Sequence, residues 1–350
     1  MVTERGDRPS GDDTELVTRV AWLYYEASLT QAEISAQLRI PPARVQRLIA
    51  GAARSGLVRI LIEGDLAGCL GLERTLIERH GLTYCRVVPA LPDAPAVSSS
   101  AASSRVISSL GRAAAAFLHE TFARGQHRVV GFGHGRTMAA TVEHLPREPR
   151  EGLKVVSIIG ALAQRIDANP FDVIHALAEK TGAAAYLPPV PFYAQSRADR
   201  RVLLRQRGVA EAFAVAAEAS LYVLGIGEIG RTASLCQTGM LLPEELEQAR
   251  RDGAVAEALG SFFDAEGRRI RTELHDRLIG IDLAEGGDRE VVAVAGGVEK
   301  QAAIAAMLRG RLITGLITDE RTAASLVAGN DGGAARGVPR GGQGESPWRP

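Results

Sequence analysis

Gly131-Phe132-Gly133-His134-Gly135-Arg136-Thr137, preceded by Val129-Val130 and followed by Met138-Ala139-Ala140-Thr141-Val142, is the stretch whose reading decides the fold. An apolar run leads into a glycine-rich turn and then into a segment of helical character. The spacing therefore predicts a strand, a loop and a helix. Glycine permits a sharp turn and a close backbone approach to a ligand. The first turn of the helix leaves N–H groups without intrahelical acceptors and presents the positive end of the peptide dipoles. Arg136 and Thr137 add side-chain donors there, and His134 is a candidate to line the pocket. The loop by itself allows two readings: a structural strand-to-helix turn, or a cradle for an anionic group, most simply a phosphate.

The same unit recurs along the chain. Tyr84–Val88, Lys154–Ile159, Ala183–Leu187, Ser220–Leu224, Glu290–Ala295 and Leu312–Thr318 read as strands. Helices are expected up to His80, at 103–123, 170–181, within 197–218 and from Lys300 to Gly310. Continuous apolar strands alternating with helices predict a parallel sheet covered on both faces, an α/β domain. Ligands of such sheets sit at the carboxyl ends of the strands.

Three further loops are candidates for that site. Gly225-Ile226-Gly227-Glu228-Ile229-Gly230 matches GxGxxG. It lacks a clear following helix and an acidic strand end about 20 residues on, so a dinucleotide role has no supporting context and a polar or anionic ligand fits better. In Phe262-Phe263-Asp264-Ala265-Glu266-Gly267, Asp264 either accepts hydrogen bonds from sugar hydroxyls or simply closes a turn. Gly296-Gly297-Val298-Glu299-Lys300 follows a strand and opens a helix. Lys300 there is either a point charge for a phosphate or an exposed helix lysine.

Catalysis is not indicated. His134, His275 and Asp276 fit no Ser/His/Asp order, metal-ligand spacing or carboxylate pair. Cys69, Cys85 and Cys236 form no CxxC pair, and so sparse and odd a set suits reduced thiols in a cytoplasm. His80, His119 and His127 read as structural. No catalytic residue, metal or cofactor is expected.

Residues 14–64 have a different character. A first helix from Glu15 to about Ala27 carries Leu16, Val20 and Leu23 on one side. Thr30-Gln31-Ala32-Glu33 is a capping-box pattern, with Ile34 and Leu38 on the buried side of the short helix it opens. Ile40-Pro41-Pro42 makes the next turn, with proline suited to a first helical position. A third helix follows with Val45, Leu48 and Ile49 inward and Arg44, Gln46 and Arg47 outward, and Leu57–Ile62 then reads as a strand. Two helices joined by a tight turn form a helix-turn-helix, whose second helix enters the major groove of DNA. Residues 15–60 hold six Arg against three Glu, in a chain with 41 basic and 41 acidic residues overall. The candidate DNA contacts are Thr30 and Gln31 at the helix start and Pro42, Arg44, Gln46 and Arg47 on the third helix. A helical protein-contact module is the competing reading.

At 350 residues, 46% hydrophobic and 23% charged, the chain has the composition of a globular protein of about two domains. No apolar run approaches the ~20 residues of a membrane span, and residues 1–13 lack the core of a signal peptide. A cytoplasmic location without membrane contact is expected, with residues 1–13 and 329–350 as disordered ends.

Taken together, these motifs resemble the SorC family of sugar-responsive transcription regulators, grouped with DeoR-like regulators. The resemblance rests on LTQAEISAQLRIPPARVQRLIAGAARSGLV, VVGFGHGRTMAATVEHL, NPFDVIHALAEKTGA, YLPPVPF, LYVLGIGEIG, GSFFDAEGRRI, DRLIGIDL and the run from VVAVAGGVEK to AASLV. They follow the family's order over about residues 15–328. The resemblance implies an N-terminal helix-turn-helix and, over 65–328, a Rossmann-like effector domain similar to sugar-phosphate isomerases and glucosamine-phosphate deaminases. It also implies a homotetramer and an effector pocket drawing on Gly133, Gly135, Arg136, Thr137, Gly227, Glu228, Asp264 and Lys300. The chain departs from the family where His134 replaces a large aromatic residue, usually Trp. Ser157 replaces a frequent Gln, and the Arg231–Ser234 loop is unusual. These departures leave room for an unphosphorylated sugar or polyol. The expected protein is an operator-binding regulator controlled by a small sugar, polyol or sugar phosphate. The alternative is an isomerase- or deaminase-like enzyme with an accessory DNA-binding domain.

Overall fold

The computed structural model describes residues 11–27, 29–55, 57–58, 67–90, 99–160, 170–230, 233–237, 239–285 and 287–329. The chain divides into two compact units, Met1–Gly64 and Asp65–Pro350.

The first unit holds α1 (Gly11–Tyr25), α2 (Gln31–Leu38) and α3 (Pro42–Arg54). The capping box forms as the sequence predicts. The Glu33 N–H donates to Thr30 Oγ1 at 3.3 Å, and the Glu33 carboxylate accepts from the Thr30 N–H at 2.7 Å. Two free donors at the head of α2 are thereby satisfied. At its other end Arg39 takes a left-handed conformation (φ 53°), and Ser35 Oγ donates to the Ile40 carbonyl at 2.6 Å. The turn into α3 is thus held from inside, and Pro42 occupies the first turn of α3. Val20, Leu23, Ile34, Val45 and Ile49 form the core. The expected strand is not found at Leu57 and Val58, which are irregular; 59–62 lie outside the described residues.

In the second unit α4 (Ala67–His80) leads to β1 (Tyr84–Val88) and α5 (Ser99–Arg124) to β2 (Val129–Phe132). There follow α6 (Arg136–His144), β3 (Lys154–Ser157), α7 (Pro170–Thr181), β4 (Ala184–Tyr186), α8 (Arg197–Leu204), α9 (Arg207–Glu218) and β5 (Leu221–Leu224). The chain continues through β6 (Gly227–Glu228), α10 (Ser234–Gln237), α11 (Pro243–Arg251), β7 (Ala256–Ala258), β8 (Ser261–Phe263), β9 (Arg269–Ile270) and α12 (Glu273–Arg277). It ends with β10 (Glu290–Val294), α13 (Gln301–Arg309), β11 (Gly315–Asp319) and α14 (Glu320–Ala328).

Among the described residues seven strands form one sheet in the order β1-β11-β10-β5-β2-β3-β4, every pair parallel. Successive side chains of a strand point to opposite faces. In β5, Tyr222 and Leu224 join one core while Leu221 and Val223 join the other. The first core includes Leu76, Phe213, Met307 and Leu326 from α4, α9, α13 and α14; the second takes Leu118, Met138 and Leu177 from α5, α6 and α7. A sheet covered on both faces is what the continuous apolar strands predict.

The structure departs from these expectations at the small sheet and at the last strand. Phe262-Phe263 is not part of a turn but the strand β8, in an antiparallel sheet of order β6-β7-β8-β9. Strands of two or three residues are too short to show alternation, so this sheet leaves no periodic signal. The last strand starts at Gly315, not Leu312, because Leu312 still donates to the Met307 carbonyl in the turn that ends α13, at 3.0 Å. The helix α14, capped by Asp319, follows it directly.

Candidate functional site

From β2 the chain builds outward through β3 and β4, then returns to the other side of β2 and builds through β5, β10 and β11. The order reverses between β2 and β5, where a crevice opens beyond the strand ends. A cavity of about 220 Å³ lies there. Its wall includes Val106 and Leu110 of α5 and its rim the loops after β2, β5, β10 and β11.

Each glycine of the opening loop has a different reason to be there. An added Cβ at Gly131 would lie 2.5 Å from both Ile158 and Tyr222, so this strand residue makes room for a buried tyrosine. Gly133 packs against Leu224, whose Cβ would stand 3.1 Å from a new one. Gly135 has φ 109° and starts α6 without any side-chain cap. The free N–H groups of α6 are therefore not answered by a cap at Gly135. Thr137 is buried and Arg136 is exposed; both line the cavity, as do His134 and Gly135. Burial pushes the His134 imidazole down to about 4, so it is neutral at physiological pH.

Gly227, Glu228 and Lys300 reach the same cavity. Lys300 Nζ donates to the Ile226 carbonyl at 2.7 Å and ties the β10 loop to the β5 loop. Burial lowers its pKa, and Glu228 acts against that shift. Lys300 is thus not the exposed helix lysine that its loop alone also allowed. Behind it, Asp319 accepts from the Gly297 N–H at 2.9 Å, the Thr322 N–H at 3.0 Å and the Thr322 hydroxyl at 2.6 Å. An added Cβ at Gly296 would meet its carboxylate. Asp319 therefore fixes the Gly296-Gly297 loop while capping α14.

Sequence reasoning missed Glu257. It comes from β7, in the small sheet, and its carboxylate accepts from the Gly260 N–H at 2.7 Å beside Gly227. Burial raises it to about 7, with the Gly260 hydrogen bond and Lys300 opposing. Glu299, Arg321 and Asp319 also line the cavity. Four carboxyl groups and the three cations Arg136, Lys300 and Arg321 line it, near charge balance because Glu257 is raised to about 7, with Arg136 and the start of α6 making one edge positive.

Two predicted pocket residues fall elsewhere. Asp264 does not line the cavity; its Oδ1 accepts from the N–H groups of Glu266 and Arg268 at 3.0 and 2.8 Å and closes the β8–β9 hairpin. Gly133 supports the loop by packing and does not line the cavity either. Ser157 donates to the Ile159 carbonyl at 3.0 Å and is buried. Arg231 and Thr232 lie outside the described residues. Among the described residues no group of side chains could hold a metal ion. In the first unit Thr30, Pro42, Arg44, Gln46 and Arg47 are exposed and Gln31 is half-buried, while Val45 and Ile49 turn inward.

Residues 65–328 match the sugar-binding domain family, Sugar-bind. The chain is 40% identical over 320 residues to the erythritol catabolism regulatory protein EryD of Brucella abortus (strain 2308), covering 91% of this chain and 98% of that one. It is 34% identical over 322 residues to the transcriptional regulator LsrR of Enterobacter sp. (strain 638), covering 90% and 94%. Its fold is similar to the full-length sorbitol operon regulator SorC from Klebsiella pneumoniae, with a TM-score of 0.68 at 24% identity over 91% of this chain and all of that one.

The chain belongs to the SorC family of sugar-binding transcriptional regulators. Its relatives along nearly the whole length are regulators, and this SorC-family chain is an effector-controlled transcriptional regulator, not an enzyme. Among the described residues no helix is long and apolar enough to cross a membrane.

Proposed function

We propose that the cavity at the β2–β5 switch point takes a small polyol or sugar as effector, and that α3 reads an operator. The observation that carries this reading is the set of carboxyl groups in the cavity wall. Carboxyl groups exchange hydrogen bonds with hydroxyls, and Glu228, Glu257 and Glu299 line it beside Arg136, Lys300 and Arg321. EryD, 40% identical, is named for erythritol catabolism, so four-carbon polyols are the first candidates. One observation favours a phosphorylated effector: Gly135, Arg136 and Thr137 form an uncapped helix start at one edge of the cavity. Effector contacts are assigned to His134, Gly135, Arg136, Thr137, Gly227, Glu228, Glu257 and Lys300.

DNA contacts are assigned to Thr30, Gln31, Pro42, Arg44, Gln46 and Arg47. Residues 14–64 act as the DNA-binding domain and 65–328 as the effector domain of a cytoplasmic homotetramer. The effector acts by binding one arrangement of the oligomer better than another, since a ligand with equal affinity for both shifts nothing. Differential scanning fluorimetry of the full chain with erythritol, erythrose 4-phosphate and inorganic phosphate tests the assignment. Erythritol is expected to raise the melting temperature in proportion to the logarithm of its concentration at saturation. Stabilisation by the phosphate ester alone overturns the polyol reading in favour of the anion.

A further inference from the structure

Among the described residues His134 is the one ring that lines the cavity, and its surroundings treat its two nitrogens differently. Nδ1 is sealed from solvent and has no hydrogen-bond partner among the described residues. The ring stands edge to face with the buried Phe192, centroids 5.5 Å apart, so its orientation is fixed by packing. Nε2 is not sealed in this way and is the nitrogen left to meet a ligand. A buried N–H without an acceptor is rarer and costlier than a buried lone pair. The favoured neutral tautomer therefore carries its proton on Nε2 and presents a donor to the cavity.

We propose that His134 determines effector specificity by donating one hydrogen bond from Nε2 to a hydroxyl oxygen of the bound polyol. The proposal rests on the polyol reading above. The carboxylates Glu228 and Glu257 accept from hydroxyl hydrogens, whereas His134 supplies a neutral donor. Each hydroxyl of a polyol offers both a donor and an acceptor, so a neutral donor among carboxyl acceptors lets the site pair both ends of one hydroxyl. A site built to hydrogen-bond a hydroxyl rejects the analogue lacking it, because its own polar group is then left unpaired. Nδ1 has no hydrogen-bond partner among the described residues, so removing it strips no structural partner there.

The test compares erythritol with 1,2,4-butanetriol, which lacks one hydroxyl, by calorimetric titration of the full-length wild type, His134→Phe and His134→Gln. Wild type is expected to prefer erythritol by about 10-fold or more, the scale of one buried polar group. His134→Phe keeps a flat ring against Phe192 and should lose most of that preference. His134→Gln restores a donor amide and should recover part of it. Equal discrimination by wild type and His134→Phe overturns the proposal, as does an equal loss for both ligands with a lowered melting temperature, which marks a packing role. Failure of the wild type to bind either ligand overturns the polyol reading itself.

Discussion

Glu257 is the residue whose environment makes the sharpest claim. Its carboxyl is raised by burial from 4.5 to about 7. The folded state therefore holds the proton more tightly than the unfolded chain. Stability from this group is complete below about 4.5, falls as pH rises through that window, and stays reduced above 7. The shift corresponds to at most about 3 kcal/mol. Glu257→Gln should accordingly melt higher than wild type at pH 8, with the difference shrinking towards pH 5, and unfolding curves across that range check it. If effector hydroxyls donate to the ionised carboxylate, effector affinity rises with pH through 7 in the wild type and is flat in the variant. The division of labour is also a residue-scale matter. Arg47→Ala should weaken operator binding about 10-fold while leaving the effector's thermal shift intact. Arg136→Ala should leave operator binding intact and blunt its response to effector. Gel-shift titrations with and without effector separate the two, and identical behaviour of both variants contradicts the assignment. Most of these residues were legible from sequence because Gly-rich loops after strands announce themselves. Glu257 was not, because β7 has three residues and no motif of its own. Asp264 lies outside the cavity lining and closes its own turn, a choice that its sequence leaves open because the turn reads the same whether the carboxylate faces a ligand or its own backbone.

The elements show how local chemistry and packing share the work. The capping box of α2 is written in four residues, and the structure makes both of its hydrogen bonds. Because the core beneath is small, losing the cap matters. Thr30→Ala should cost about 1 kcal/mol, seen as an earlier thermal transition of the helix-turn-helix. In the sheet, Gly131 is demanded by its neighbours, not by its own conformation. Gly131→Ala would drive a methyl to 2.5 Å from Tyr222 and Ile158. A destabilisation of about 1–3 kcal/mol is expected, measurable as a lower denaturation midpoint at unchanged slope. The close approach of α5 and α6 has a similar basis. The alanine run at Ala113–Ala116 suggests close packing, yet it is Gly111 whose added Cβ would strike Ala140, at 2.8 Å. Composition marks a helix as able to pack closely; only the neighbouring helix selects the residue at the crossing.

At the scale of the molecule, charge is divided where its total is not. The chain balances 41 basic against 41 acidic residues, while residues 15–60 carry six Arg against three Glu. Operator affinity should therefore fall steeply with salt through counterion release, and effector affinity should change little; fluorescence anisotropy between 50 and 200 mM salt, the range over which such contacts tell, compares the two. The proposed tetramer is checked by light scattering on the eluting full chain, a monomer being the outcome against it. The sequence by itself determined the fold class, the two-part organisation and the loops that end the strands, because apolar periodicity, capping and glycine turns act over neighbouring residues. Only the tertiary structure decided which loops share a cavity, that Glu257 joins them and that Asp264 does not. Those outcomes depend on strand order and on burial, which bring together residues more than a hundred positions apart and shift the chemistry of groups that look alike in the chain.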